Sequence, residues 1–251
     1  MFLCGGKSCL EGSSEIFKTI SFDSFVECRS ILYNLGIKDY EVGKYYFSSV
    51  KELLELMEKN TLTPLCGVAG DLSYSQGVIE HIKESNEVLC LNIEGAFTIL
   101  SSLINPIVVF KECKRNREGV ILAIKYIEKF QFDYINQVSG IKMISLAEPS
   151  GDINIIGPKT FKEFIAPSNI KLIKHIQKSN VDVIHLCGRL STSLEKVDEL
   201  FVKKVTLELD TYENHILSLS NGEIVCHSCT KMLPLKRRIV HIGKLKSHIS
   251  K

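Results

Sequence analysis

Val181-Asp182-Val183-Ile184-His185-Leu186-Cys187-Gly188 is a short apolar run that ends in a histidine and a cysteine two residues apart. Residues i and i+2 of a strand share a face, so both side chains point the same way, and Gly188 closes the run with little steric obstruction. At the rim of a parallel sheet, an imidazole and a thiolate can form two legs of a tetrahedral zinc site. Cys229, within Cys226-His227-Ser228-Cys229, supplies a third leg. One position then stays open, as a catalytic zinc requires. Spacing alone favours a plainer reading, a packed cysteine beside a hydrogen-bonded histidine.

Outward from this run, short apolar segments alternate with longer ones of helical period, which is the pattern of a parallel α/β protein. The strands predicted are Leu62–Gly67, Val88–Ile93, Ile141–Ala147, Val181–Cys187, Lys204–Leu209, Glu223–Cys226 and Arg238–Ile242, with Met1–Gly5 as a further candidate. Helices are expected at Ser49–Lys59, Gln76–Ser85, Asn116–Phe130, Thr160–Ile165, Asn169–Lys178 and Ser193–Phe201. Pro167 marks the start of the fifth. Such alternation fits a TIM barrel or an open doubly wound sheet, and both place chemistry at the carboxyl ends of strands. No repeat, low-complexity tract or linker divides the chain, so one domain over residues 1–251 is expected.

Composition sets the remaining bounds. With 45% hydrophobic and 24% charged residues, the chain can bury a substantial core. A net charge of +2 is too weak to indicate nucleic acid. Basic residues gather near the end (Lys231, Lys236, Arg237, Arg238, Lys244, Lys246, Lys251), as a solvated tail or a docking surface for an acidic or phosphate-bearing partner. Nothing at the start has the form of a signal peptide, and the apolar runs are too short to span a membrane. A cytoplasmic protein is expected. Nine cysteines, an odd number in a chain of this length, read as thiols, with Cys28, Cys90 and Cys113 packed in apolar surroundings. Gly5-Gly6-Lys7-Ser8 lacks the spacing of a phosphate loop, and the glycines of Cys66–Asp71 complete no dinucleotide fingerprint.

Ile144–Asp152 with its Glu148-Pro149, Gly157–Pro167 with its Phe161 and Phe164, and His185-Leu186-Cys187-Gly188 together resemble the uroporphyrinogen decarboxylase superfamily. The likeness is strongest to its cobalamin-dependent branch of zinc methyltransferases. Asn92–Leu100 resembles that family's Gly-Pro-Phe-Thr turn with Ala96 in place of proline, Phe25–Cys28 with Leu35-Gly36 an earlier block, and His227–Cys229 with Pro234 the late segment bearing the last thiolate. The chain is shorter than the family at its N-terminus and between Cys187 and Cys229, and it lacks the arginine-rich motif of true uroporphyrinogen decarboxylases. The fold implied is α/β, a TIM-barrel-like parallel sheet, shortened and with a gap or a replaced strand.

The resemblance also implies chemistry. His185, Cys187 and Cys229 would bind Zn²⁺, with Cys226 as a rival or companion to Cys229. The zinc would hold a small thiol as thiolate, and that thiol would take a methyl group from a methylated corrinoid protein. Glu148, ending a neighbouring strand, is the candidate catalytic carboxylate. It would tune and orient the metal's ligands from outside them or join them as a weak extra one. Asp152 and His227 are lesser candidates. Two further readings stand beside this one: a non-catalytic accessory protein that binds zinc or a corrinoid protein, and a methyltransferase whose acceptor is not a thiol.

Overall fold

The computed structural model describes residues 17–20, 26–41, 43–64, 88–137, 143–176, 178–179, 183–186, 190–197 and 239–241. Among these, strands β1 (Phe17–Ile20), β2 (Val88–Glu94), β3 (Met143–Ala147), β4 (Val183–Leu186) and β5 (Ile239–His241) lie side by side in chain order. β1 to β4 are parallel, and β5 runs antiparallel to β4. The register sets Glu94 opposite Ala147 and Ser145 opposite His185, so β2, β3 and β4 end close together at one rim.

This sheet corrects the expected barrel. A barrel joins its edge strands through a constant tilt and stagger, whereas among the described residues β1 and β5 stand at opposite edges of an open sheet. The reversal of β5 also interrupts the parallel run that such a barrel requires. Strand order never doubles back, so the reversed order of a doubly wound sheet is absent among the described residues. The described residues are mostly helical, and their strands are short.

Helices α1 (Val26–Asn34) and α2 (Val50–Met57) precede β2, while α3 (Ala96–Leu103), α4 (Pro106–Arg115) and α5 (Arg117–Gln137) separate β2 from β3. The predicted Ser49–Lys59 helix is α2, with Val50, Leu53, Leu54 and Met57 buried as its spacing requires. Ser49 caps it by accepting from the Glu52 amide at 3.2 Å. Asn105 caps α4 by accepting from the Ile107 amide at 2.9 Å, with Pro106 in the first turn, where no N–H is needed. The Asn116–Phe130 helix is α5, which runs on to Gln137 and is about 30 Å long.

α5 is the hub of the core. Val120, Ala123, Ile124, Ile127 and Phe130 form its buried stripe, and α2, α3 and α4 pack along it. After β3 come the short helices α6 (Ile153–Ile156) and α7 (Pro158–Thr160), a π-helical turn at Phe161–Ile165, and α8 (Ala166–Ile176), which packs on α5. Within the π turn the Ala166 amide bonds to the Phe161 carbonyl. Pro167 gives a reason for the wider turn: it has no N–H for the Glu163 carbonyl, and its ring would crowd that oxygen in a regular helix. α9 (Leu190–Glu195) follows β4.

The predicted Leu62–Gly67 strand is not one at residues 62–64, and its remainder lies outside the described residues. So do the elements predicted at Met1–Gly5, Gln76–Ser85, Lys204–Leu209 and Glu223–Cys226. Sequence periodicity did not anticipate α1, α3 or α4. Among the described residues, no helix is long and apolar enough to cross a membrane.

Ile127 is fully buried on the stripe of α5. Ile127→Ala should therefore lower unfolding free energy by about 2–5 kcal/mol, read as a reduced denaturant midpoint at unchanged slope.

Candidate functional site

At the carboxyl end of the parallel strands the chain buries carboxyl groups. Glu148 follows β3 directly and is 6% exposed. Its carboxylate accepts from the Thr98 hydroxyl and from Asn169 Nδ2 at 3.3 Å, and the nearby backbone amides of Phe97 and Thr98 favour its ionised form. Those two amides open α3, whose cap residue Gly95 offers no side chain. The Glu148 carboxylate thus faces the helix start from another element, where amide dipoles favour an anion.

Two glycines make this approach possible. A Cβ on Gly95 would stand 1.8 Å from Glu148 Oε2, and one on Gly151 would stand 2.7 Å from Glu148 Cγ. Burial raises the Glu148 pKa to about 7, against the hydrogen bonds from Thr98 and Asn169, which lower it. A carboxyl in that range can take up or give up a proton near neutral pH. The Ser150 amide donates to Thr98 Oγ1 at 3.2 Å, fixing the hydroxyl that donates to Glu148.

A second carboxyl lies behind the first. Glu27, on α1, is 4% exposed and accepts from the Glu94 amide at 3.1 Å. Gln131, on α5, donates from Nε2 to the Glu94 carbonyl and also bonds Glu27. The reason lies in the sheet. β1 pairs with β2 only as far as Leu91, while the next amide, Gly95, bonds across to Ala147. The polar groups of Glu94 therefore face the side where β1 has ended, and Glu27 and Gln131 take the place of the missing strand.

Burial pushes the Glu27 pKa up to about 8. The Glu94 carboxyl is raised well above its usual range, first by burial and then by Glu27 and Glu148. Cys28, beside them on α1, is 1% exposed with its thiol pushed up by burial, so it is a packed core cysteine, as is buried Cys113.

Of the residues predicted from sequence, Glu148 lies in this cluster, and His185 is the third residue of β4, paired with Ser145 of the strand that carries Glu148. Cys187, Cys226, His227 and Cys229 lie outside the described residues, as do all seven of the basic residues named near the end. Among the described residues there is no group of three or more His, Cys, Asp or Glu that could hold a metal ion. Asp152 serves the local fold, since its Oδ1 accepts from the Asn154 amide at 2.8 Å and caps α6.

Sequence reasoning missed Thr98, Asn169, Gln131 and the roles of Glu27 and Glu94. One signal was available. Asn169 interrupts the apolar stripe Ile165, Leu172, Ile173, Ile176, and Gln131 does the same one turn after Ile127, so both amides had to be buried.

A family model described as uroporphyrinogen decarboxylase (URO-D) matches residues 21–218. The chain belongs to that family. No curated protein matches the sequence. A solved structure, a methyltransferase from Methanosarcina mazei, is similar over 90% of this chain and 79% of its own, with 15% identity and a TM-score of 0.56. At that identity the likeness is one of fold. It relates this URO-D-family chain, distantly, to a methyltransferase.

The raised Glu27 pKa carries a sign. The folded protein holds a proton that the unfolded chain releases above about 4.5, so this group's contribution falls as pH rises toward 8. Glu27→Gln keeps an acceptor for the Glu94 amide and removes the titration. Its stability relative to wild type should rise between about pH 5 and pH 8, measured by denaturation at each pH. Gly95→Ala should displace the Glu148 carboxyl at a cost of about 1–3 kcal/mol. Wild-type thermal stability in that variant would show that the carboxyl is not held against the start of α3.

Proposed function

We propose that this chain transfers a methyl group from a methylated corrinoid, carried on a partner protein, to a small thiol. The observation that carries the reading is the shared rim of β3 and β4: Glu148, titrating near neutral pH, follows one strand, and His185 stands in the next. Family membership and the methyltransferase-like fold support it.

The donor set suits zinc. An imidazole at His185 with thiols at Cys187 and Cys229 is the mixed nitrogen and sulfur set that zinc prefers. β4 is a strand at His185, so a residue two positions on would share its face if the strand continued. Zinc, when bound, lowers the pKa of a thiol that joins it.

The chain's own groups do the rest. As the new carbon–sulfur bond forms, the thiol's proton must leave and the methyl–cobalt electron pair stays with cobalt. Glu148 is the acceptor for that proton, because burial has raised it to about 7 while Thr98 and Asn169 still support its ionised form. The amides that open α3 hold its carboxylate in place, and the α3–α5–α8 packing holds those amides. Burial of Glu148 and Asn169 keeps bulk water from competing for the proton.

Metal analysis of anaerobically purified protein should find stoichiometric zinc, lost in Cys187→Ala. Methylcobalamin or a methylated corrinoid protein mixed with a thiol should show the spectral change of demethylation, and Glu148→Gln should slow it by about 100-fold or more. Zinc and corrinoid-protein binding without turnover would favour the accessory role instead. Equal trace zinc in wild type and Cys187→Ala would remove the metal from the reading.

A further inference from the structure

The two oxygens of Glu148 are held differently. Thr98 donates its hydroxyl to Oε1, and because the Ser150 amide donates to Thr98 Oγ1 at 3.2 Å, the hydroxyl proton is committed to the carboxyl. Oε1 is therefore an acceptor whether or not Glu148 carries a proton. Oε2 faces Asn169 of α8, whose Nδ2 donates to it at 3.3 Å and to the Ile165 carbonyl at 3.2 Å. A proton taken up by this carboxyl belongs on Oε2, where it needs an acceptor.

Asn169 carries one. Its Oδ1 makes no hydrogen bond among the described residues, although the residue is 1% exposed, and buried amide oxygens without a donor are uncommon. Oδ1 and Glu148 Oε2 also share one small space. A Cβ on Gly95 would stand 3.1 Å from the first and 1.8 Å from the second.

An amide turned over about its last bond keeps its shape and exchanges donor for acceptor. Beside an ionised carboxylate only the present orientation works, since the turned amide would set Oδ1 against two acceptors, Oε2 and the Ile165 carbonyl. Beside the protonated acid, the turned amide receives the Oε2 proton, a bond that its nitrogen cannot make. The charged groups on the neighbouring elements are few. α3 carries none, and β2 ends in Glu94, whose amide donates to Glu27 of α1 at 3.1 Å. The first charged residue of α8, Lys171, pairs with Glu128 of α5 at 3.2 Å, while Glu163 of the π turn pairs with Arg117 and Asp152 caps α6.

We propose that Asn169 is a positioning residue of the proton step: its amide turns over as Glu148 Oε2 gains a proton, exchanging the N–H it gives the carboxylate for an oxygen that accepts from the carboxylic acid. Its part in turnover rests on the methyl-transfer reading, while the amide's response to Glu148 stands on the hydrogen bonds alone. The thiol's S–H bond breaks with its electron pair left on sulfur, the proton bonds to Oε2, and the new O–H donates to Asn169 Oδ1. The proton later passes to solvent and the amide turns back. Both forms of the carboxyl are hydrogen-bonded in one place, so the group need not move between taking the proton and releasing it.

In an amide NMR spectrum of protein labelled at asparagine nitrogen, the Asn169 side-chain signals are identified by their loss in Asn169→Asp. They should shift with pH at a midpoint near the Glu148 pKa of about 7, and the shift should vanish in Glu148→Gln and persist in Glu94→Gln. In the methyl-transfer assay, Asn169→Leu, close in shape but without either polar atom, should lower kcat by about tenfold or more and leave KM for the thiol within about twofold. Asn169 signals that ignore pH, or that still titrate in Glu148→Gln, overturn the inference, as does wild-type kcat in Asn169→Leu. A response that follows Glu148, without methyl transfer to any thiol, supports the turning amide while the methyl-transfer reading fails. Should a thermal melt show that Asn169→Leu does not fold, the comparison of wild type with Glu148→Gln decides alone.

Discussion

A carboxylate set against a helix start from another element organises this rim. The Glu148 side chain meets the first amides of α3 where Gly95 has no side chain to offer, and this contact ties the end of β3 to the start of the helix that follows β2. Two neighbouring parallel strands are thereby locked at the same level. Gly95 and Gly151 must stay without Cβ atoms to admit the group, Thr98 must present its hydroxyl, and α8 must lie close enough for Asn169 to reach. None of these requirements is local in sequence. Together they determine which parts of the chain converge.

The same rim works against stability. Burying these acids holds protons that the unfolded chain would release, and the fold gives up stability at neutral pH to do so. The buried stripe of α5, with α2, α3, α4 and α8 packed along it, supplies the offset. Groups kept at such a cost are commonly found where chemistry or binding needs them.

Much of the local structure could be read from residues, because hydrophobic spacing is a local signal. The strands at Val88–Glu94 and Met143–Ala147 and the apolar face of α2 follow from their own patterns. Helices α3 and α4 did not, since α3 is buried almost all round and has little periodicity to show, while α4 buries only Val109 and Cys113. Barrel closure was misjudged for a different reason. Alternating strands and helices look the same in an open sheet and a closed one, and the direction of β5 depends on which edge it meets. At the site, the position of Glu148 directly after a strand was legible. Glu27 and Gln131 were not, because their role is set by where β1 stops pairing with β2.

The π turn at Phe161–Ile165 fixes the phase of everything after it. Asn169 donates to the Ile165 carbonyl at 3.2 Å as well as to Glu148, so its direction depends on the one residue by which that turn is overlong. Removing a residue there would swing all of α8 by about 100° around its axis. Asn169 would turn away from the acids, and the stripe of Leu172, Ile173 and Ile176 would leave its seat against α5 in the same motion. Helix length in this segment is therefore under tighter constraint than helix composition. Among relatives, substitutions on the exposed face of α8 should be common, while insertions and deletions between Pro158 and Asn169 should be rare.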